Sequence, residues 1–403
     1  MFLKNNIHTL FLISAISAVV IVFFLPYFFN TESEAFSYPY RIFLFLFSVY
    51  ILFINFKEKN YIGNEKIIII YTIFWSYYIL KAIYSFSVYY FQPDIFNDRW
   101  KIYAKIFLVS FIPSLAIITS SFKKINLDLL FKSSFYILLF SLLLDFTLIL
   151  FNGDFGKRDY RISIYYISLG HLGTTLILLS LYYLLKKELT INPIFTILGV
   201  FLGAYFNYIS ASRSAFLALS VCGIILFLSS NKKKLFFYFS AFIAFIILLS
   251  FVLLNTKYQD KTPLFFVRLY QSVFEGNAAG RGELILKSWN NFLESPFFGT
   301  RILLDDGMYP HNIFLELLMA TGILGFAMYS FFLWKIIKTN FYIIKNNFYR
   351  PEFLLSLLWV QYFILTLTSY TLHSNFEYCY LTALVLIFSN KISFSNYNKL
   401  TNE

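Results

Sequence analysis

An all-α protein threaded many times through a membrane is the fold class this sequence predicts, and three observations predict it. Hydrophobic residues make up 59% of the 403 and charged residues only 13%, where a soluble chain carries about a quarter charged. The mean hydropathy is +0.67. Apolar runs near the ~20 residues that cross a bilayer as one helix recur from end to end. A membrane barrel would instead alternate apolar and polar residues in segments of about ten, and no such alternation is visible. The two cysteines, Cys222 and Cys379, lie inside apolar runs, which argues against a disulfide framework and against a thiolate metal site.

Taken in order, the runs predict about twelve spans, at residues 8–29, 37–56, 67–90, 102–120, 129–151, 163–185, 192–209, 213–230, 235–254, 311–334, 353–371 and 375–390. The first is too long for the apolar part of a signal peptide and no small-residue cleavage site follows it, so it reads as a span. No internal repeat is visible, and the link 186–191 is short where a two-halves transporter has a long one. The spans are expected to form one integral membrane domain, 1–403. Lysines cluster in alternate loops, at 57–66, 122–126, 186–192, 231–234, 335–350 and 390–391, which predicts that these loops and the N-terminus are cytoplasmic. The same clustering accounts for the formal charge of +12 without nucleic acid.

The largest loop, 255–310, is then external, between spans nine and ten. Thr262-Pro263 can start an amphipathic helix through about Glu275. After Gly276-Asn277 a second is expected from about Gly282 to Glu294, with Ile285, Trp289 and Phe292/Leu293 on one face, ended by Pro296 and Gly299. Both are expected to lie in the membrane interface, with Trp289 as anchor, and to roof a cavity. Asp305-Asp306 reads mainly as solvated loop.

The arginines divide against the lysines. Arg41, Arg99, Arg158, Arg161, Arg213, Arg268, Arg281 and Arg301 fall on the external side, and only Arg350 on the other. Guanidinium groups suit bidentate contacts to phosphate, whereas Arg41, Arg99 and some loop arginines can instead reach lipid headgroups. Even-numbered spans start at the external face and point their positive helix ends there. Those starts read Arg161-Ile-Ser163, Ser212-Arg213-Ser214, His311-Asn312 and His373-Ser374-Asn375. If they converge, they make a site for a diphosphate. Lys81, Asp145, His171, Glu316 and Glu377 lie within spans and are expected to face a cavity or a partner. Nothing in the sequence calls for a metal or another cofactor, and no nucleotide-binding loop is present.

Three stretches carry a resemblance: ISASRSAFLAL (209–219), GRGELILKSWNNFLESPFFGTR (280–301) and PHNIFLELLMATGILG (310–325), with YRISIYYISLGHLG (160–173) as a looser fourth. Over roughly residues 150–335 the chain resembles the O-antigen ligase/polymerase superfamily of bacterial envelope glycosyltransferases. The resemblance implies a metal-independent transferase, with an undecaprenyl-diphosphate-linked glycan as donor, working at the periplasmic face of the inner membrane. It implies His311, Arg213 and Arg281 as catalytic residues, with Arg161, Arg158, Asn312 and Tyr309 binding the diphosphate and glycan. An acidic residue near the last span is a further family feature, for which Glu377 is the candidate. His311 would act either as general base or as a phosphate ligand. Polymerase is the expected activity, because the segment between Gly299 and His311 is short and the Phe-, Tyr-, Ile-, Asn- and Lys-rich composition is frequent in polysaccharide polymerases. A ligase acting on lipid A-core and a glycan flippase are the alternatives. A chain-length-regulating membrane protein is a candidate partner.

Overall fold

The computed structural model describes residues 6–17, 33–62, 64–151, 166–186, 190–230, 232–255, 262–275 and 281–400. Their long apolar runs are helical, because a segment in hydrocarbon has no water for its amides and must close its hydrogen bonds on itself. The helices are α1 (Asn6–Ser17), α2 (Ser33–Lys57), α3 (Glu65–Val88), a short α4 (Pro93–Asn97), α5 (Arg99–Ile118), α6 (Leu127–Phe151), α7 (Tyr166–Leu185), α8 (Pro193–Ser210), α9 (Arg213–Ser229) and α10 (Lys233–Leu254). There follow α11 (Leu264–Val273), α12 (Arg281–Glu294), α13 (Ile313–Asn346), α14 (Pro351–Thr368) and α15 (Phe376–Leu400).

The expected all-α polytopic fold is present. Among the described residues nine helices are long and apolar enough to cross a membrane, and the other three of the twelve expected spans fall on α1, α9 and the first part of α15, which are apolar but shorter. Part of the first expected span, 8–29, lies outside the described residues.

Packing separates centre from rim. The apolar window of α7 is 78% buried, that of α10 only 6%; α7 is therefore a core helix and α10 faces lipid along almost its whole surface. Two glycines let α8 lie directly on α7. A Cβ on Gly173 would come within 2.6 Å of the Gly203 carbonyl oxygen, and one on Gly203 within 2.6 Å of Gly173 O, the close approach that small residues allow between membrane helices. Buried amides tie the core laterally: Asn207 Nδ2 donates to Thr174 Oγ1 at 2.8 Å, and Gln361 Nε2 donates to His171 O at 2.8 Å.

Two expected boundaries move. The segment expected as a cytoplasmic loop at 335–350 continues α13 to Asn346, since Ile336, Asn340 and Ile343 recur at helical spacing and are buried while Lys338 and Lys345 stay exposed. In the external loop, α12 buries Ser288 and Phe292 and leaves Ile285, Trp289 and Leu293 exposed. The face expected to be apolar is thus split: Phe292 goes to protein, and the rest is free for an interface.

A break inside α13 positions the external segment. Gly322 sits there at φ +63°, ψ −165°, a conformation essentially reserved for glycine. Residues 296–300 fold into the gap. Thr300 N donates to Met319 O at 2.7 Å, Ile323 N to Pro296 O at 2.8 Å and Leu324 N to Phe297 O at 3.2 Å. Gly299 (φ +72°) is held there by Lys81 of α3, whose Nζ donates to its carbonyl at 2.9 Å. The Tyr77 hydroxyl lies within hydrogen-bond distance of Phe298 O and Thr321 O, at 3.0 and 3.2 Å. The groups freed by breaking the helix are satisfied by the turn and a tyrosine, and the lysine satisfies a carbonyl of the turn itself. This splice fixes α12, with Arg281 at its start, to the helix that follows His311.

Candidate active site

The turn between α8 and α9 delivers Arg213. Ala211 adopts a left-handed conformation (φ +47°) that stops α8, and Ser212 caps α9 by accepting from Ala215 N at 3.4 Å. Arg213 is therefore in the first turn of α9, half-buried. Helix α11 grips this turn. Arg213 Nη1 donates to Ser272 Oγ at 2.9 Å, Ser272 Oγ donates to Arg268 O at 2.8 Å, and Arg268 Nη1 donates to Ala211 O at 3.4 Å. Behind the turn, Ser214 Oγ pairs with His171 Nε2 at 3.1 Å and with Ser212 Oγ at 3.0 Å. His171, expected to face a cavity or partner, thus has its partner in this turn.

Arg281 opens α12, also half-buried. Burial and then the Arg213 guanidinium hold it below its usual value, while Tyr309 acts the other way. Two like charges within electrostatic reach cost the fold something, and an arriving anion would relieve that cost.

His311 is the hinge between the external segment and α13. It adopts φ +55°, rare for a residue with a side chain, and its ring lies 4.3 Å from that of Tyr309, centre to centre. Burial, then Arg281, push its pKa from 6.5 down to about 4, so the imidazole is neutral at pH 7. Its Nδ1 is buried and has no hydrogen-bond partner among the described residues. Asn312 is engaged otherwise: its Oδ1 caps α13 by accepting from Phe314 N and Leu315 N at 3.0 and 3.2 Å. Arg213, Arg281, His311 and Tyr309 thus form one electrostatic neighbourhood, whereas Arg158 and Arg161 lie outside the described residues.

Below the histidine lies a buried polar network. Glu316 accepts from the Tyr78 hydroxyl at 2.9 Å and, through both oxygens, from Leu372 N at 3.1 Å; Tyr78 OH also lies 3.2 Å from His373 Nδ1. His373, at the start of the last helix, is turned into this network. Glu377 borders a different cavity, of about 30 Å³, with Ser134, Thr175 and Tyr362. Asp305 and Asp306 are exposed, as expected of a solvated loop, and Asp305 also pairs with Arg301. No group of three potential metal ligands occurs among the described residues.

Ser272, Tyr77 and Tyr78 were not singled out from the sequence. Ser272 had a signal, since it stands four residues after Arg268 and shares its helix face. The tyrosines had none, in a chain with 32 of them.

Residues 198–330 match the family model described as O-antigen ligase. No curated protein matches the chain. The matched stretch runs from α8 into the first part of α13 and includes Arg213, Arg281 and His311. It supports the resemblance to the O-antigen ligase/polymerase superfamily and a function of that general type, and the apolar helices fit a multi-pass membrane protein.

Proposed function

We propose that this chain, similar over residues 198–330 to the O-antigen ligase family, is an O-antigen polymerase that joins undecaprenyl-diphosphate-linked repeat units at the periplasmic face of the inner membrane. The observation that carries the reading is the neighbourhood of two arginines and a neutral histidine at one end of the bundle, inside the matched stretch. The lysine-rich loops at the other end supply the orientation. In the reaction a hydroxyl oxygen of the acceptor glycan forms a bond to the donor's anomeric carbon. The bond from that carbon to the diphosphate breaks, and its electron pair leaves with the diphosphate.

Arg213 and Arg281 neutralise the leaving charge, an electrostatic task for groups fixed in advance. Ser272 orients the first of them. His311 takes the hydroxyl proton. A pKa of about 4 makes a weak base, but part of that depression comes from Arg281. When the donor's diphosphate pairs with Arg281, the repulsion is cancelled and the imidazole becomes more basic. Substrate binding itself prepares the base. Arg161, Arg158 and Tyr309 complete the donor site.

A ligase is the second reading, favoured by the description of the matched family. The polymerase is preferred because residues 300–310 form a short segment folded onto α3, with Ile302 N donating to Ser85 Oγ at 3.2 Å, and carry no inserted element. A flippase fits less well, since the arginines gather at one end of the bundle rather than at its middle. Deleting the gene and resolving surface lipopolysaccharide on a gel tests the choice. Cores bearing a single repeat are expected; bare cores with long lipid-linked glycan would indicate the ligase, and unchanged length would end both. Alanine at Arg213, Arg281 or His311 should abolish extension while the protein still accumulates.

A further inference from the structure

Two grooves outside the arginine–histidine neighbourhood open at the same end of the bundle and meet at one pair of side chains. The lower one, about 590 Å³, runs along α3 and α5 with Ile79, Ile83, Trp100 and Phe107 in its walls. The upper one, about 640 Å³, lies past the end of α3 and over α4, with Tyr89, Tyr90, Phe96 and Asn97 in its walls. Arg99 and Tyr103 border both. Trp100 is 66% and Tyr90 73% exposed. The Arg99 guanidinium is held by its own turn, donating to Phe96 O at 2.8 Å and lying 4.1 Å over the Phe96 ring. That contact uses one of the five N–H donors an arginine has.

The grooves adjoin the segment that leads to His311. Gln92 N donates to Asp305 O at 3.0 Å, and the Arg301 guanidinium lies 4.6 Å over the ring of Tyr89. Whatever sits in the upper groove therefore touches α4 and faces the stretch that reaches Tyr309 and His311 a few residues later.

We propose that the joined grooves hold the acceptor, a second polyprenyl-diphosphate-linked glycan, an inference that rests on the transferase reading above. Its chain lies in the lower groove, its diphosphate meets Arg99, and its first sugars lie against the aromatic rings of the upper groove. The shape and chemistry select this occupant. A phospholipid matches the apolar channel and the cation but makes no use of the aromatic and amide walls beyond them. A many-tailed lipid A needs several acyl channels side by side, whereas the lower groove is a single channel along α3 and α5. Flat rings with neighbouring amide and guanidinium donors suit a sugar's apolar C–H faces and its hydroxyls.

The test is photo-crosslinking in full-length protein, in membranes of cells whose lipid-linked glycan is radiolabelled in its sugars. A photoreactive residue replaces Trp100, or, as control, the similarly exposed Trp334 near the far end of α13 (61% exposed). A sugar-labelled adduct is expected at position 100 and not at 334. Tyr103→Ala should lower its yield roughly 2- to 13-fold, the worth of one aromatic contact, while Arg213→Ala and His311→Ala leave it in place. Adducts with unlabelled phospholipid alone, or equal labelling at both positions, overturn the proposal. Loss of the adduct in Arg213→Ala also overturns it, because the groove would then hold the donor. Glycan length in the deletion strain tests the transferase reading separately. Normal extension by the protein without an adduct at position 100 sinks the acceptor groove alone.

Discussion

Lys81→Met removes one ammonium from the splice and keeps nearly the same side-chain volume. Lys81 is 8% exposed and donates to Gly299 O at 2.9 Å. A hydrogen bond from a charged donor contributes about 1.5–3 kcal/mol, and its loss here leaves a buried carbonyl unsatisfied. If that stabilisation holds residues 296–300 in the break of α13, the open form becomes roughly 10- to 150-fold more populated. The amides that report on it are those of Thr300, Ile323 and Leu324, which bond across the break. Hydrogen exchange followed by mass spectrometry on the protein in detergent or nanodiscs should show peptides containing them exchanging faster by that factor. Peptides from α7 should not change. Exchange at the three amides within about twofold of wild type, a change below ~0.5 kcal/mol, would refute the reasoning. So would equal acceleration throughout the chain, which would mean that Lys81 supports the whole bundle. Glycan extension should fall with the same substitution, because the splice ties the helix of Arg281 to that of His311.

The same geometry sets four more outcomes. Gly322→Ala should lower accumulation and thermal stability by more than about 1–3 kcal/mol, since the new Cβ would stand 2.6 Å from Gly299 N as well as in a glycine-only conformation; normal melting would show that the break can close. With His311 as base, kcat/KM should lose activity only as pH falls toward about 4, the value of the free protein, while kcat, measured with donor bound, should fall at a higher pH. Activity that rises on acidification would make His311 a cationic phosphate ligand instead. Arg281→Gln should leave the melting temperature unchanged or slightly raised, because it removes repulsion with Arg213, while abolishing transfer and moving the His311 pKa upward from about 4. Diethylpyrocarbonate modification against pH can read that shift, since the other histidines, His8, His171 and His373, are at most 3% exposed. Ser272→Ala should weaken donor use roughly fivefold, the worth of about 1 kcal/mol for a half-exposed hydrogen bond to Arg213; an unchanged KM for donor would remove Ser272 from the site.

Most of the spans were legible because lipid imposes one solution on the backbone, and the pattern of apolar runs records it. Arg213, Arg281 and His311 were legible as a group because each sits at a helix start within a recognisable stretch, beside Ser212, Gly280 and Asn312. The splice was not legible. Its bonds run between backbone groups, which leave no side-chain signature; of its two supports, Lys81 was expected to meet a partner but nothing named Gly299, and Tyr77 gave no sign. Gly322 reads from sequence as one more small residue in a membrane helix. The extension of α13 past residue 334 was hidden by its lysines, which mark a cytoplasmic loop as well as they mark the exposed face of a helix. For α12 the period was right and the buried face shifted, because Ser288 is chosen by its fit and not by its hydropathy.

The splice also bears on how the chain is assembled. Gly322 lies nine residues into α13, about 14 Å below its start, so the turn at 296–300 reaches a depth normally closed to irregular backbone. Phe297 and Phe298, 70% and 61% exposed, can face acyl chains there. The turn depends there on a neighbouring helix, since α3 supplies Tyr77 and Lys81 to the carbonyls of Phe298, Thr321 and Gly299. This end of the bundle is therefore complete only when α3, the turn and the broken helix are together.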